Sequence, residues 1–302
     1  MKIEPAKLSS SLEDFIRGYT ERLEREGAIL GLSGGLDSAV VAALCKKALG
    51  QEKTLALIMP EKDSKKEHIK DALDFARKLG IQAKLIDITP YLKRLGVYRL
   101  FPLNKFPLTK QTKETLVKKA YGFYERRAGE SPFSAALLGF KGKPSFLKKA
   151  NAYYRIKHRL RMILLYLYAE LENRLVIGAA NKSESRIGFF VKHGCDDAAD
   201  VMPLLSLYKT QVRELARYLD IPLKIIEKAP SPDIIPGISD EQAVGISYEG
   251  LDLILLALEL GWKDSEIASI LGIEEKDVSY VRGMIQRSGH MRETYVPESD
   301  LL

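Results

Sequence analysis

Two apolar rhythms alternate over the first ninety residues. Helical spacing from Leu8 to Arg25 gives way to an apolar run at Ala28–Leu32, followed by a helical stretch to Leu49, a strand at Thr54–Met59, a helix from Ser64 to Leu79 and a strand at Gln82–Ile88. Mostly apolar strands, each returned to the next by a helix, are what a parallel sheet covered on both faces requires. The pattern predicts a doubly wound α/β fold with a mainly parallel sheet. A long helix from about Phe146 to Glu172, a strand at Leu175–Ala179 and a helix at Leu207–Leu219 continue it. Ligands of such sheets bind beyond the carboxyl ends of the strands, here at Ser33–Ser38 and after Met59.

The regularity stops between Tyr91 and Lys149. Residues 93–149 carry fourteen Lys or Arg against three Glu, a larger positive excess than the +7 of the whole 302-residue chain. Four prolines and eight aromatic residues from Tyr98 to Pro144 interrupt this stretch. We expect a single domain over 1–302, in which 93–149 is a basic insertion and 240–302 a helical C-terminal part. The insertion reads as a solvated segment with its aromatics in a small satellite core, as a basic lid over an anionic substrate, or as a nucleic-acid patch.

Composition narrows the class. A 46% hydrophobic content suffices for a substantial core. Cys45 and Cys195 are too few for a disulfide framework or a sulfur metal site. No apolar stretch approaches the roughly 20 residues of a membrane span, and the first five residues do not begin a signal peptide. A cytoplasmic protein with no membrane partner is expected.

The chemistry begins where the first strand ends, in Gly31-Leu32-Ser33-Gly34-Gly35-Leu36-Asp37-Ser38. Gly34 and Gly35 let the backbone bring its N–H groups close to a polyphosphate, and Ser33 and Ser38 add hydroxyl donors. The following helix points its positive end at the same anion. Asp37 would repel a bare phosphate, so its place argues for a divalent cation, Mg²⁺, between carboxylate and phosphate. The run lacks the lysine of a Walker loop and the spaced glycines of a dinucleotide fingerprint. It resembles the PP-loop of the ATP pyrophosphatases, which have an adenine-nucleotide alpha-hydrolase-like fold. In that superfamily an acceptor oxygen attacks the α-phosphorus of ATP and releases pyrophosphate.

A second block, Gly178-Ala179-Ala180-Asn181-Lys182-Ser183-Glu184, follows the strand at 175–179 and sets Glu184 at the head of a loop, where it would share the ion of Asp37. Downstream come Phe189–Gly194, Ala198–Leu204, Leu207–Ala216, Pro230–Asp233 and Gly245–Asp252. In this order and spacing, these segments resemble ammonia-dependent NAD synthetase over most of 28–88 and 155–297, with the basic insertion left unmatched.

The resemblance implies ATP-dependent adenylation of the nicotinate carboxylate of deamido-NAD, after which ammonia displaces AMP. It also implies a homodimer, with ammonia taken free or from a separate glutaminase. Carried over by position, Gly31, Leu32, Ser33, Gly34, Gly35, Leu36, Asp37 and Ser38 hold the ATP phosphates. Lys209 and Ser231 make further ATP contacts, and Asp37 and Glu184 bind Mg²⁺. Arg159, Lys192, Asp200 and His290 meet deamido-NAD, and Asp37 and Lys192 serve the chemistry. These types suit their tasks, since arginine forks onto phosphate, lysine neutralises charge that develops on adenylation, and a carboxylate accepts from ribose hydroxyls.

Several positions depart from the family pattern. Ala179 replaces a threonine, His158 a small residue and Arg155 an asparagine, while the loop 193–200 is one residue longer and holds Cys195. His290-Met291-Arg292 replaces a His-Lys-Arg run. These departures bear on the acceptor, whereas the ATP and Mg²⁺ positions are intact. The insertion would then act as a basic cover that replaces the cation lost at Met291.

Two other readings compete. Asp264–Leu271, Gly272 and Glu274–Gln286 form a helix-turn-helix pattern, and the pI is near 9.1, yet the second helix opens with Glu274-Glu275-Lys276-Asp277, acidic where a recognition helix meets phosphate. A PP-loop enzyme transferring sulfur or an amine to a tRNA base is favoured by the basic insertion and Cys195. It is opposed by the segments between Phe189 and Ile246, and by Asp196 and Asp197, which would raise the thiol pKa.

Overall fold

The computed structural model describes residues 2–100, 109–195, 197–228 and 237–296. Strands Gly27–Gly31 (β1), Thr54–Ile58 (β2), Gln82–Leu85 (β3) and Arg174–Ile177 (β4) form a parallel sheet in the order β3-β2-β1-β4. Helices Pro5–Arg22 (α1), Leu36–Leu49 (α2) and Lys66–Leu79 (α3) precede or link the first three strands. Thr89–Arg94 (α4), Lys110–Ala128 (α5), Pro132–Ala135 (α6) and Ser145–Leu171 (α7) lie between β3 and β4. After β4 come Lys182–Ile187 (α8), Lys209–Tyr218 (α9), Leu223–Ile226 (α10), Asp240–Val244 (α11), Tyr248–Glu259 (α12), Asp264–Leu271 (α13) and Glu275–Ser288 (α14). The doubly wound expectation is met.

Alternation along β1 divides the core. Ala28 and Leu30 pack into one cluster with α1, α2 and α9, whereas Ile29 joins Leu57, Leu165 and Val176 on the face covered by α7. Because β1 lies at the sheet centre with α2 behind it, both elements are apolar nearly throughout. The strand predicted to reach Ile88 ends at Leu85. Ile86 and Ile88 still donate to the carbonyls of Ile58 and Pro60, but Pro60 has no N–H to return, so the ladder cannot continue.

The chain runs outward from β1 through β2 to β3 and then returns to β4 on the other side of β1. The carboxyl ends of β1 and β4 therefore flank a topological switch point, the place where such sheets bind ligands. Asp37 follows β1 and Glu184 follows β4.

The segment 93–149 contains the 19-residue α5, which the sequence did not lead us to expect. Its Lys118, Lys119, Arg126 and Arg127 are exposed. Its described aromatics pack in small contacts, Tyr121 in a separate cluster shared with residues outside the insertion and Tyr124 edge-on against Phe146. Tyr121 is buried against Ile238 and Ala243 and donates to the Ala243 carbonyl at 3.1 Å, and Phe133 stacks edge-on against Phe189. The C-terminal helices share one core in which Val278, Val281 and Met284 of α14 meet Ile254 and Leu255 of α12. The apolar face of α14 is thus committed to the protein. No helix among the described residues is long and apolar enough to cross a membrane.

Candidate active site

Between β1 and α2 the chain turns through Leu32–Gly35. Gly34 has φ +79°, and a Cβ there would come within 2.3 Å of the His68 carbonyl oxygen, so the turn closes against the start of α3 only with glycine. The Ser38 hydroxyl accepts from the Ser33 amide at 3.2 Å and donates to the Gly35 carbonyl at 3.1 Å, while the Ser33 hydroxyl accepts from the Gly35 amide at 3.2 Å. The turn is therefore pre-formed. No described side chain caps α2, which leaves its first amides and its dipole to an anion.

At the switch point the Lys209 ammonium bridges two carboxylates, 2.5 Å from Asp37 Oδ2 and 3.0 Å from Glu184 Oε1. Lys209 is only 3% exposed. Burial alone would lower its pKa, but Asp37, Glu184 and Asp240 overcome that and hold the ammonium charged. Burial and the Asp37 charge push the Glu184 carboxyl up against the pull of Lys209. Asp240 stands nearby. Burial, with Glu184 and Asp37 opposing Lys209, pushes its pKa up to about 7. Its Oδ2 accepts from the Tyr248 hydroxyl, which also reaches Glu184 Oε1 at 3.1 Å, and its buried Oδ1 has no hydrogen-bond partner.

Glu184 does not head a loop. Asn181 caps α8 by accepting from the Glu184 amide at 3.0 Å, so Glu184 sits in the first turn of a six-residue helix. The start of α9 is equally fixed. The Lys209 amide donates to the Ser183 hydroxyl, and Asp252 accepts from both Ser183 and the Thr210 amide.

These groups line a cavity of about 380 Å³. Gly31, Leu32, Ser33, Gly35, Leu36, Asp37, Ser38, Glu184 and Lys209 all border it, while Gly34 shapes the turn behind. Arg159, Lys192, Asp200 and His290 do not border it. Arg159 donates to the Lys192 carbonyl, and the Lys192 ammonium donates to the carbonyls of His290 and Glu293, so three of the four form one linked group. Asp200 stands apart, accepting from the Tyr166 hydroxyl and the Val176 amide beside β4. Ser231 lies outside the described residues.

Sequence reasoning missed Asp240, Tyr248 and Lys228. Lys228 borders the cavity and donates to the Gly34 carbonyl and to Asp71, which ties the turn to α3. The departures Arg155, His158, Ala179 and Cys195 all border the cavity, with His158 Nδ1 3.4 Å from the Cys195 sulfur. Met291 is buried instead in the C-terminal core. The insertion also reaches the cavity, but with Pro132, Phe133, Ala136, Leu137, Phe140 and Leu147. The wall it adds is apolar, not basic.

A parallel sheet with a glycine-rich phosphate turn after β1, and with a lysine-bridged carboxylate pair at its switch point, defines a nucleotide-binding domain of the PP-loop class. A profile of the NAD synthase family matches residues 8–101 and 106–295. The chain belongs to the NAD synthase family. Most of the insertion falls within that match, which corrects the expectation that it stands outside the resemblance. An NH(3)-dependent NAD(+) synthetase from Thermotoga maritima is 46% identical over 83% of this chain and 87% of its own length. Its counterpart from Archaeoglobus fulgidus is 37% identical over 95% of this chain and 94% of its own. Among solved structures, NMN synthetase from Francisella tularensis superposes with a TM-score of 0.70 at 30% identity, covering 99% of this chain and 100% of that one. The NH3-dependent NAD synthetase from Campylobacter jejuni gives 0.69 at 27% identity with the same coverage.

Proposed function

We infer that the protein is a ligase of NAD biosynthesis that amidates deamido-NAD to NAD, using ATP and ammonia and releasing AMP and pyrophosphate. The observation that carries this reading is the convergence of Asp37, Glu184 and Lys209 beside the Ser33–Ser38 turn, in a chain of the NAD synthase family. Neither the DNA-binding nor the tRNA-modifying reading is favoured.

In the first step the acceptor carboxylate attacks the α-phosphorus of ATP and pyrophosphate leaves. Gly31–Ser38 would cradle the phosphates through backbone amides, the Ser33 and Ser38 hydroxyls and the start of α2. Lys209 would neutralise charge on the leaving pyrophosphate, and Ser231 would add an ATP contact. Asp37 and Glu184 would hold Mg²⁺, whose chemistry is charge neutralisation on the phosphates. The donor set fits. Two carboxylates converge on one cation position, a further buried carboxylate oxygen lacks a partner, and no three His, Cys, Asp or Glu among the described residues form a metal cluster on their own. An ion here would complete its shell with phosphate oxygens.

Arg159, Lys192, Asp200 and His290 would take the acceptor, Lys192 entering the chemistry by steadying charge on the adenylated carboxylate. Their place outside the cavity accords with a homodimer. On α7, which also carries Arg159 and Tyr166, Ile163, Leu167 and Leu171 recur every four residues and are 62%, 50% and 71% exposed. We propose that this stripe meets a second copy, that residues 1–302 act as one domain with 93–149 as a wall of the site and 240–302 as its helical C-terminal part, that the enzyme is cytoplasmic, and that ammonia arrives free or from a separate glutaminase.

The test is NAD and pyrophosphate formation from deamido-NAD, ATP, Mg²⁺ and ammonium. Equal yields of the two products are expected, with nothing from bulk tRNA. The likeness to an NMN synthetase supplies a second acceptor to try, nicotinate mononucleotide. Faster turnover of the mononucleotide would move the assignment to it.

A further inference from the structure

At the point where Asp37 and Glu184 converge, the structure places the Lys209 ammonium. It is the cation paired with both carboxylates among the described residues, at 2.5 and 3.0 Å. A divalent ion held by the same two oxygens would need the same space, and an ammonium and a metal ion cannot share it. We propose that Lys209 and the metal are alternative occupants of the Asp37–Glu184 site, so that the lysine keeps the site closed to metal until the phosphates of ATP draw it away. The proposal rests on the reading that these carboxylates hold Mg²⁺.

Three observations support an exchange over a fixed salt bridge. The backbone of Lys209 is anchored through its amide to Ser183, which Asp252 holds in turn, so any movement is confined to the four-carbon side chain. The cluster has more carboxylates than cations. Asp240 Oδ1 is buried without a partner, which leaves an oxygen able to accept from a displaced ammonium. Of the residues that would receive the phosphates, Ser33, Gly35, Leu36, Asp37 and Ser38 border the same cavity as the ammonium. An arriving polyphosphate therefore meets a lysine able to pair with it, and each cation moves to a new anion with no charge left alone. Metal would then enter with or after nucleotide, which prevents the carboxylate pair from trapping a stray divalent ion in the resting protein.

The experiment measures binding of Mn²⁺ alone, by calorimetry and by the paramagnetic signal of free Mn²⁺, to the parent and to Lys209→Met and Lys209→Gln. Weak binding is expected in the parent, at least tenfold tighter binding in both variants, and a rise in Tm with Mn²⁺ in the variants only. Variants that bind Mn²⁺ no more tightly than the parent would overturn the proposal, as would variants that stay unfolded with Mn²⁺ and without it. A parallel arm adds a non-hydrolysable ATP analogue to the parent and to Asp37→Asn. Loss of nucleotide-dependent Mn²⁺ binding in Asp37→Asn upholds the metal assignment even where the lysine exchange fails, whereas unchanged binding removes both.

Discussion

Lys157 offers a test of whether burial decides what an ion pair is worth. It is 3% exposed, its ammonium lies 2.7 Å from Glu61 Oε1 and 3.2 Å from Asp63 Oδ2, and it sits 4.0 Å above the Tyr153 ring. Glu61 is 6% exposed, and its other oxygen accepts from the Tyr98 hydroxyl. Lys157→Met keeps the volume and removes the charge, leaving Glu61 buried with one phenol for company. Removing one partner of a buried pair costs about 3–5 kcal/mol, whereas an exposed pair such as Arg17–Asp14 is worth about 0–1 kcal/mol. Urea unfolding at pH 7 should place Lys157→Met in the first range and Arg17→Met in the second. Lys157→Met/Glu61→Gln should recover much of the loss, because the orphaned charge goes with its partner. Acid adds a second readout. Burial resists ionisation of Asp63, but Lys157 and Tyr153 outweigh it and hold its pKa below the usual carboxylate value. A lowered folded-state pKa contributes stability that is present above about pH 4 and fades as the pH falls through the folded value, and this fade should shrink in Lys157→Met. A loss under about 1 kcal/mol, or a double variant no better than the single, would refute the reasoning.

Four further outcomes are expected. Asp37→Asn should cut turnover by about 10²–10³ with the fold intact, and more than half of parental activity at saturating Mg²⁺ would exclude Asp37 from the site. Glu184→Gln should raise the Mg²⁺ concentration for half-maximal rate, and an unchanged titration would remove Glu184 from the ion. The Asp240 pKa near 7 lies above its unfolded value, so the stability it lends below about pH 4 is lost as the pH rises to 7. Asp240→Asn should therefore match the parent in urea at pH 4 and exceed it at pH 8, and a gap independent of pH would contradict this. Phe133→Ala should raise KM for deamido-NAD equally at low and high salt, because the insertion wall is apolar, and a rise confined to low salt would restore the basic cover.

The phosphate turn was legible because its meaning is local. Gly34 is needed where φ is positive, and the serines that close the turn lie within six residues of one another. The parallel sheet was legible for the same reason, since apolar strands and helical spacing are read one element at a time. Glu184 was placed on a loop although Asn181 and Glu184 stand at the cap and third positions of a helix, a signal that six residues make easy to pass over. Helix α5 shows no apolar stripe and Tyr121 is the one buried side chain among its described residues, so its pattern has nothing to reveal until the chain folds against Ala243. Asp240 was beyond reach for a stronger reason. An aspartate at the start of a five-residue helix is ordinary, and what sets it apart is the company of Asp37, Glu184 and Lys209, which only the tertiary fold assembles.

The departures from the family pattern take on a different meaning in three dimensions. Along the sequence, the cation lost at Met291 and the positive excess of 93–149 look like loss and compensation. In space Met291 is 3% exposed in the C-terminal core, where it meets only apolar insertion residues such as Leu137, while Lys118, Lys119, Arg126 and Arg127 of α5 are exposed. From α7 the cavity receives Arg155, which stands in place of an asparagine, and Arg161, while Lys209, Arg213 and Lys228 border it from later in the chain. Arg155 also donates to the Ala136 carbonyl, so the helix that brings the cation grips the segment that brings the apolar wall. The cavity wall then includes hydroxyls and a lysine suited to phosphate, and also Phe133, Phe140 and Leu147 with Arg155. An acceptor that joins a flat aromatic acid to a polyanion needs both kinds of wall, and we propose that the insertion would serve it through its apolar residues.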